Sequence, residues 1–205
     1  MRNALVKGAH KRLVFGRRTK VLRGQFAEMI PPGSRVLDVG CGDGSIDELI
    51  ATARPDVSIE GIDVLVRRGA KIPVILYDGR VFPHPDKSFD AVIFIDVLHH
   101  TPDPLALLRE AVRVARHCII IKDHNRDGFA AGPLLRLMDW VGNAPHGVAL
   151  PYNYWSQREW RAAFDALDLT LSRYLADLGL YPAPARWIFE RSLHFVARLD
   201  LAPCD

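Results

Sequence analysis

The stretch RVLDVGCGDGS, residues 35–45, decides the fold. A short apolar run ends in an acid, and glycines then follow at 40, 42 and 44. A glycine turn that leaves a strand and opens a helix brings backbone N–H groups close to a nucleotide. The dinucleotide pattern GxGxxG wants a third glycine where this chain has Ser45. Asp38, two residues before Gly40, would repel a pyrophosphate. It suits instead a nucleoside ligand that carries an ammonium group and no phosphate, and S-adenosylmethionine is such a ligand.

Strand-like runs continue outward from that turn at 35–40, 58–63, 73–78, 89–96 and 117–124. Several are apolar almost throughout, as a parallel sheet covered on both faces requires. Helical segments separate them. The clearest is 103–115, with Asp103 as cap, Pro104 in the first turn, and Leu105, Leu108, Val112 and Ala115 on one face. This alternation predicts an α/β fold with a doubly wound, mostly parallel sheet and helices on both faces. Four successive strands are expected to end in acids, at Asp38, Asp63, Asp78 and Asp96. Asp63 is placed to accept from both ribose hydroxyls, and Val64 to lie on the adenine face. Asp78 is placed to accept from the adenine amine, near the Gly79 backbone. Asp96 falls at the switch point of the sheet, where ligands of open α/β folds collect.

With these residues in place, the chain resembles the class I S-adenosylmethionine-dependent methyltransferases. The similarity is strongest to their small-molecule branch, which includes quinone-biosynthesis enzymes. VLDVGCGDG is similar to that family's first motif, and DGRVFPHPDKSFDAVIFIDVLHH, residues 78–100, follows its later motifs without a gap. The resemblance covers roughly residues 34–124. It implies a seven-stranded sheet whose last strand is antiparallel. It also implies cofactor contacts from Asp38, Gly40, Cys41, Gly42, Asp63, Val64, Asp78, Gly79 and Asp96. His84 stands where the family usually has Phe, and Arg80 where an acid is common.

The flanks differ in character. Residues 1–23 carry eight of the 27 basic residues and no acid, which leaves 19 basic against 24 acidic residues in the remainder. This leader, 1–33, is expected to be helical, with Leu5, Ala9 and Leu13 on one face. Val21, Leu22, Phe26, Met29 and Ile30 continue an apolar side that can lid the cofactor cleft. The core at 34–124 is followed by an aromatic, Gly- and Pro-rich cover insertion at 125–166. Within it a helix opens at Ser156, where Ser-Gln-Arg-Glu forms a capping box with Glu159 and puts Trp160, Phe164 and Leu167 on one face. Two last strands are expected near 169–175 and 193–199, in a C-terminal segment 167–205. The whole is read as one methyltransferase domain.

Three cysteines, Cys41, Cys118 and Cys204, have no CxxC or metal-like spacing. No apolar run is long enough to span a bilayer, and the start lacks the apolar core of a signal peptide, so a cytoplasmic location is expected.

Methyl transfer from a sulfonium is an in-line displacement in which the protein aligns the acceptor and, where needed, takes its proton. His99, His100 and His124 are the candidate bases. His124 is preferred, with Asp123 to orient it and His100 second; His99 follows the fourth strand beside the expected methyl position. Tyr152, Asn153, Tyr154 and Trp155 belong to the cover, with Tyr152 and Tyr154 shaping the acceptor pocket beside His99. No metal is expected, because KDHNRD supplies no ligand spacing. The acceptor is expected to be a small or medium organic molecule, anionic or delivered on an acidic carrier protein in view of the basic leader. Nucleic-acid methylation is disfavoured. Base-amino methyltransferases have an (Asp/Asn)-Pro-Pro-(Tyr/Phe) motif where this chain has Asp96-Val97-Leu98-His99, and no cysteine nucleophile lies between Cys41 and Cys118. The alternatives are a catalytically inactive cofactor-binding partner subunit and, less favoured, an RNA methyltransferase.

Overall fold

The computed structural model describes residues 2–143, 151–190 and 192–202, with 2–15 and 142–143 by backbone only. Strands β1 (Arg35–Val39), β2 (Ser58–Asp63), β3 (Val74–Leu76), β4 (Phe89–Ile95), β5 (Ala115–His124), β6 (Thr170–Leu175) and β7 (His194–Asp200) form one sheet in the order β3-β2-β1-β4-β5-β7-β6. The pairs among β1–β5 are parallel, and β7 alone runs antiparallel, between β5 and β6. The chain builds from β1 out to β3 and then crosses back to β4. That reversal leaves a crevice between β1 and β4 at the carboxyl ends of the strands.

Helices α1 (Arg2–Met29) and α2 (Ser45–Ala53) cover one face of the sheet, while α3 (Pro104–Val114) and α5 (Gln157–Asp165) cover the other. The central strands serve both layers. Ala91 and Ile93 of β4 pack with Leu22, Phe26 and Ile50, whereas Val92 and Phe94 pack with Leu107, Leu108 and Trp160. In β5, Cys118 and Ile120 face the first core, Ile119 and Ile121 the second. Side chains alternate with period two, so a strand buried on both faces must be apolar at every position. α4 (Ala131–Asn143) and a single turn, α6 (Arg186–Phe189), complete the cover. Ala131 and Leu135 pack there with Tyr154 and Leu193.

Most local expectations meet the structure within a residue or two. Asp103 accepts from the Ala106 amide at 3.0 Å as the cap of α3, and Ser156 with Glu159 makes the capping box of α5. The face of α3 is corrected. Leu107, Leu108, Ala111 and Val114 are its fully buried stripe, Leu105 and Val112 lie on its flanks, and Ala115 already begins β5. Val21 is half-buried, and Leu22, Phe26, Met29 and Ile30 form the expected apolar side of the leader, but they pack into the core with Val36, Ile50 and Ile93 on one face of the sheet rather than as a lid over the cleft. The side chains of Leu5, Ala9 and Leu13, and all of Cys204, lie outside the described residues. Cys41 and Cys118 are free thiols. Among the described residues no helix is long and apolar enough to cross a membrane.

Candidate functional site

At the exit of β1 the chain turns through Gly40, Gly42 and Gly44, all with φ between 62° and 73°. Gly44 has a second reason to be glycine: a Cβ there would stand 2.6 Å from Cγ1 of Ile72. A Cβ on Gly42 would meet nothing within 4 Å, so this side of the loop is open. Asp63, the last residue of β2, ties the loop down. Its Oδ2 accepts from the Gly42 amide at 2.8 Å and its Oδ1 from the Leu65 amide at 2.9 Å. Val64 follows, exposed, and a Cβ on Gly79 would lie 3.2 Å from its Cγ1. Cys41 packs against Gly61 beneath the loop, with burial pushing its thiol pKa up.

Two strand-end expectations are corrected. Asp38 lies inside β1, and Asp78 lies two residues past the short strand β3. Asp78 caps its own turn, its Oδ1 accepting from the Arg80 and Val81 amides at 2.8 and 2.9 Å. Asp96 follows β4 immediately, at φ 58°, and the next residue, Val97, packs where a Cβ on Gly40 would clash. Eight of the nine residues read from sequence as a cofactor set therefore lie along one stretch of the sheet's carboxyl edge, with Asp38 buried beneath them.

Beneath the loop is a feature the sequence reading missed. Asp47, in the first turn of α2, is buried and hydrogen-bonded to the buried Asp38, and among the described residues each keeps one carboxyl oxygen without a partner. Burial raises both pKa values, that of Asp47 to about 6, and the mutual charge adds to the rise at Asp38. Among the described residues, Asp38, Asp47 and Asp63 have no ion-pair partner. An open glycine loop above three acids without a cation fits a cationic, phosphate-free nucleoside. S-adenosylmethionine has that chemistry.

A second cluster sits where β4 and β5 end. Asp96 is held by Arg18 of α1 and by Lys122, which is itself buried. Burial opposes its ionisation, but Lys122 and Arg18 hold the Asp96 pKa well below the usual carboxylate range. Asp123 was expected to orient His124. Its short bond goes instead to His99, 2.7 Å from Oδ1 to Nδ1, against 3.3 Å to Nδ1 of His124. Asp123 also accepts from the amides of Leu98 (3.1 Å) and His124 (2.8 Å). The His124 ring packs against His99, Tyr154 and His194, with centroids 4.6, 5.7 and 4.8 Å away. Burial and then Lys122 depress its pKa to about 4. Burial works against a charged His99, but Asp123 and Asp139 bring its pKa up to about 9. His100 stands beside it, 3.5 Å from Asp139. Arg18, Asp139 and His194 carry no sequence signal for this placement. Only the β5–β7 register, pairing His124 with His194, brings the last of them in.

Tyr154 stacks on His99 with ring centroids 5.2 Å apart, and its hydroxyl donates to Asp139 at 2.9 Å. Its outer side lines a recess of about 320 Å³ shared with Arg126, Gly132, Pro133, Arg136 and Tyr152. Arg136 lies 5.6 Å from the Tyr152 ring centre, and Arg126 pairs with Glu159 at 2.6 Å. Tyr152 holds φ 56°, an uncommon conformation for a residue with a side chain.

Comparison with known proteins agrees with this architecture. The chain is 36% identical over 113 residues to the 27-O-demethylrifamycin SV methyltransferase of Amycolatopsis mediterranei, covering 48% of this chain and 41% of that protein. It is 38% identical over 95 residues to a ubiquinone biosynthesis O-methyltransferase of Xanthomonas campestris, covering 40% and 39%. It thus spans about two fifths of the length of these curated relatives. The solved S-adenosylmethionine-dependent methyltransferase of Aquifex aeolicus superposes with a TM-score of 0.62 at 20% identity, covering 94% and 93% of the two chains, and so shares the fold. The family model of the methionine biosynthesis protein MetW matches residues 23–166, a span that holds the glycine loop, the acids Asp38, Asp63, Asp78 and Asp96, and His99, His100 and His124. By that match the chain belongs to the MetW family, on a class I methyltransferase fold.

Proposed function

We propose that the chain transfers a methyl group from S-adenosylmethionine to a small or medium organic acceptor that carries an anionic group. The observation that carries this reading is the acid cluster Asp38, Asp47 and Asp63, paired with no cation among the described residues, beneath an open glycine loop. When bound, the cofactor supplies an electrophilic methyl group on a sulfonium. Asp63 would accept from the ribose hydroxyls, Val64 would cover the adenine face, and Asp78 with Gly79 would meet the adenine edge. Gly40, Cys41 and Gly42 would frame the methionine portion, with Asp38 below it and Asp96 beside it.

On the acceptor side, Tyr152 and Tyr154 wall the recess, while Arg126 and Arg136 offer guanidinium forks to a carboxylate or phosphate. His124 and His100 are the groups available to take a proton, and His99 fixes the wall against which Tyr154 stacks. The relatives' O-methyltransferase activity supports oxygen as the atom methylated. Acceptors presented on an acidic carrier belong to the same class, since the basic run 1–23 would attract one.

The test is calorimetric binding of S-adenosylhomocysteine to the wild type and to Asp63→Ala, with NAD as control, followed by methyl transfer to carboxylic, phenolic and carrier-bound acceptors. Micromolar binding that collapses in the variant, with turnover of an anionic acceptor, is the expected result. A folded protein that binds no S-adenosylhomocysteine would overturn the reading. Binding without turnover of any acceptor would favour a non-catalytic partner subunit.

A further inference from the structure

His99 and His100 occupy the 3₁₀ turn Leu98–His100, and α4 brings Asp139 over them. Nε2 of His99 lies 3.8 Å, and Nε2 of His100 3.5 Å, from the same oxygen, Asp139 Oδ1. All three ligand atoms lie within 4.8 Å of one another. Two ring nitrogens thus converge on one carboxylate oxygen at distances long for hydrogen bonds. Ligands about 2.0–2.2 Å from a tetrahedral zinc stand roughly 3.4 Å apart, close to what is seen here.

The surroundings are those of a prepared site. Asp123, fully buried, holds Nδ1 of His99 at 2.7 Å, which turns Nε2 toward Asp139. A carboxylate behind a metal-ligating histidine fixes its tautomer and ring orientation in the same way. Asp139 is steadied through its other oxygen, which accepts from the Tyr154 hydroxyl. Among the described residues, Nδ1 of His100 is buried without a hydrogen-bond partner, and the ring's Nε2 faces Asp139. His100 keeps a little exposure, while His99 and Asp139 are buried. The neighbouring triad His99, Asp123 and His124 is a poorer candidate, because the 2.7 Å His99–Asp123 contact leaves no room for an ion between them.

We propose that His99, His100 and Asp139 bind one first-row divalent cation, with Zn(II) as the fitting probe and Asp123 as the group that orients His99. The ion takes the place of the proton on Nε2 of His99, which leaves to solvent. Two imidazoles and one carboxylate select a transition metal over Mg(II), and they leave further coordination positions open. The absence of metal-ligand spacing in the sequence is consistent with this, because Asp139 lies 39 residues from His100 and arrives on another element.

The full chain, stripped with a chelator, is titrated calorimetrically with Zn(II) and with Mg(II), and the metal content of protein purified without added metal is measured. One equivalent of Zn(II) per chain and no Mg(II) binding are expected. Affinity should fall by at least about 10–100-fold in His100→Ala and in Asp139→Asn, as loss even of an outer partner does, and should persist in His124→Ala. Histidine ¹⁵N spectra supply a readout that needs no variant: Nε2 of His99 and His100 shift on Zn(II) addition. Folded wild type that binds no Zn(II) and shows a doubly protonated His99 would overturn the proposal, as would wild-type Zn(II) affinity in either ligand variant. S-adenosylhomocysteine binding on the same samples keeps this outcome separate from the fate of the methyl-transfer reading.

Discussion

Asp38 of β1 and Asp47 of α2 are hydrogen-bonded to one another in the interior, beneath a glycine loop, with no cation paired to either among the described residues. Such a pair stores unfavourable charge that a positively charged ligand relieves.

Its pH dependence follows. Both folded-state pKa values are raised, that of Asp47 to about 6, so between the unfolded carboxylate value and that point the folded state holds more protons than the unfolded state. The stability from this pair is full at the acid end and is lost as pH rises through about 6. Asp47→Asn should flatten that part of the profile and raise Tm at pH 7 by a few degrees, on the order of 1–3 kcal/mol. Thermal melts between pH 4 and 8 check it. A variant less stable than wild type at pH 7 would show that the pair is compensated by something else.

Gly44 and Gly42 should respond differently to alanine. Both have positive φ, but only at Gly44 does the new methyl meet a side chain, Ile72. Gly44→Ala should cost about 1–3 kcal/mol more than Gly42→Ala in urea unfolding. Gly42→Ala should leave most of the stability intact while placing its methyl on the open side of the loop, and so lose S-adenosylhomocysteine affinity.

Asp96 has two cations, and they are not equivalent. Lys122 is buried, whereas Arg18 is part-exposed. Lys122→Ala should cost roughly 3–5 kcal/mol, the range for breaking a buried pair. Arg18→Ala should cost about 1 kcal/mol or less, and its stronger effect should be faster amide exchange in α1. Equal losses from denaturant unfolding would contradict this ordering.

Ser156→Ala removes the cap of α5, whose hydroxyl accepts from the Glu159 amide at 3.3 Å. A loss of about 1 kcal/mol is expected, with S-adenosylhomocysteine affinity unchanged. A matching loss of affinity would mean that α5 reaches the cofactor edge.

What was legible in the sequence had a local cause. The glycine loop, the apolar strands and the caps at Asp103 and Ser156 are written within a few consecutive residues, and each formed near its expected position. The strand-edge acids were legible because β-α alternation fixes which end of each strand faces the crevice. The α3 face was misjudged because Leu105 and Val112 lie at the margins of a stripe centred on Leu108 and Ala111. Asp47 was missed because an acid in a first helical turn looks like ordinary dipole compensation. The partners of His99 were illegible for a different reason. Asp139 reaches His99 only through the placement of α4, and His194 reaches the neighbouring His124 only through the β5–β7 register, which no local spacing encodes.

The alternation along β4 and β5 has a consequence for how this chain can change. Val92, Phe94, Ile119 and Ile121 answer to one layer of helices; Ala91, Ile93, Cys118 and Ile120 answer to the other. The sheet therefore insulates two repertoires of substitution from one another. Replacements on the α3–α5 side should combine additively with replacements on the α1–α2 side, while neighbours within a layer should couple. Lineages can thus remodel the cover side while the layer beneath α1 and α2 stays as it is.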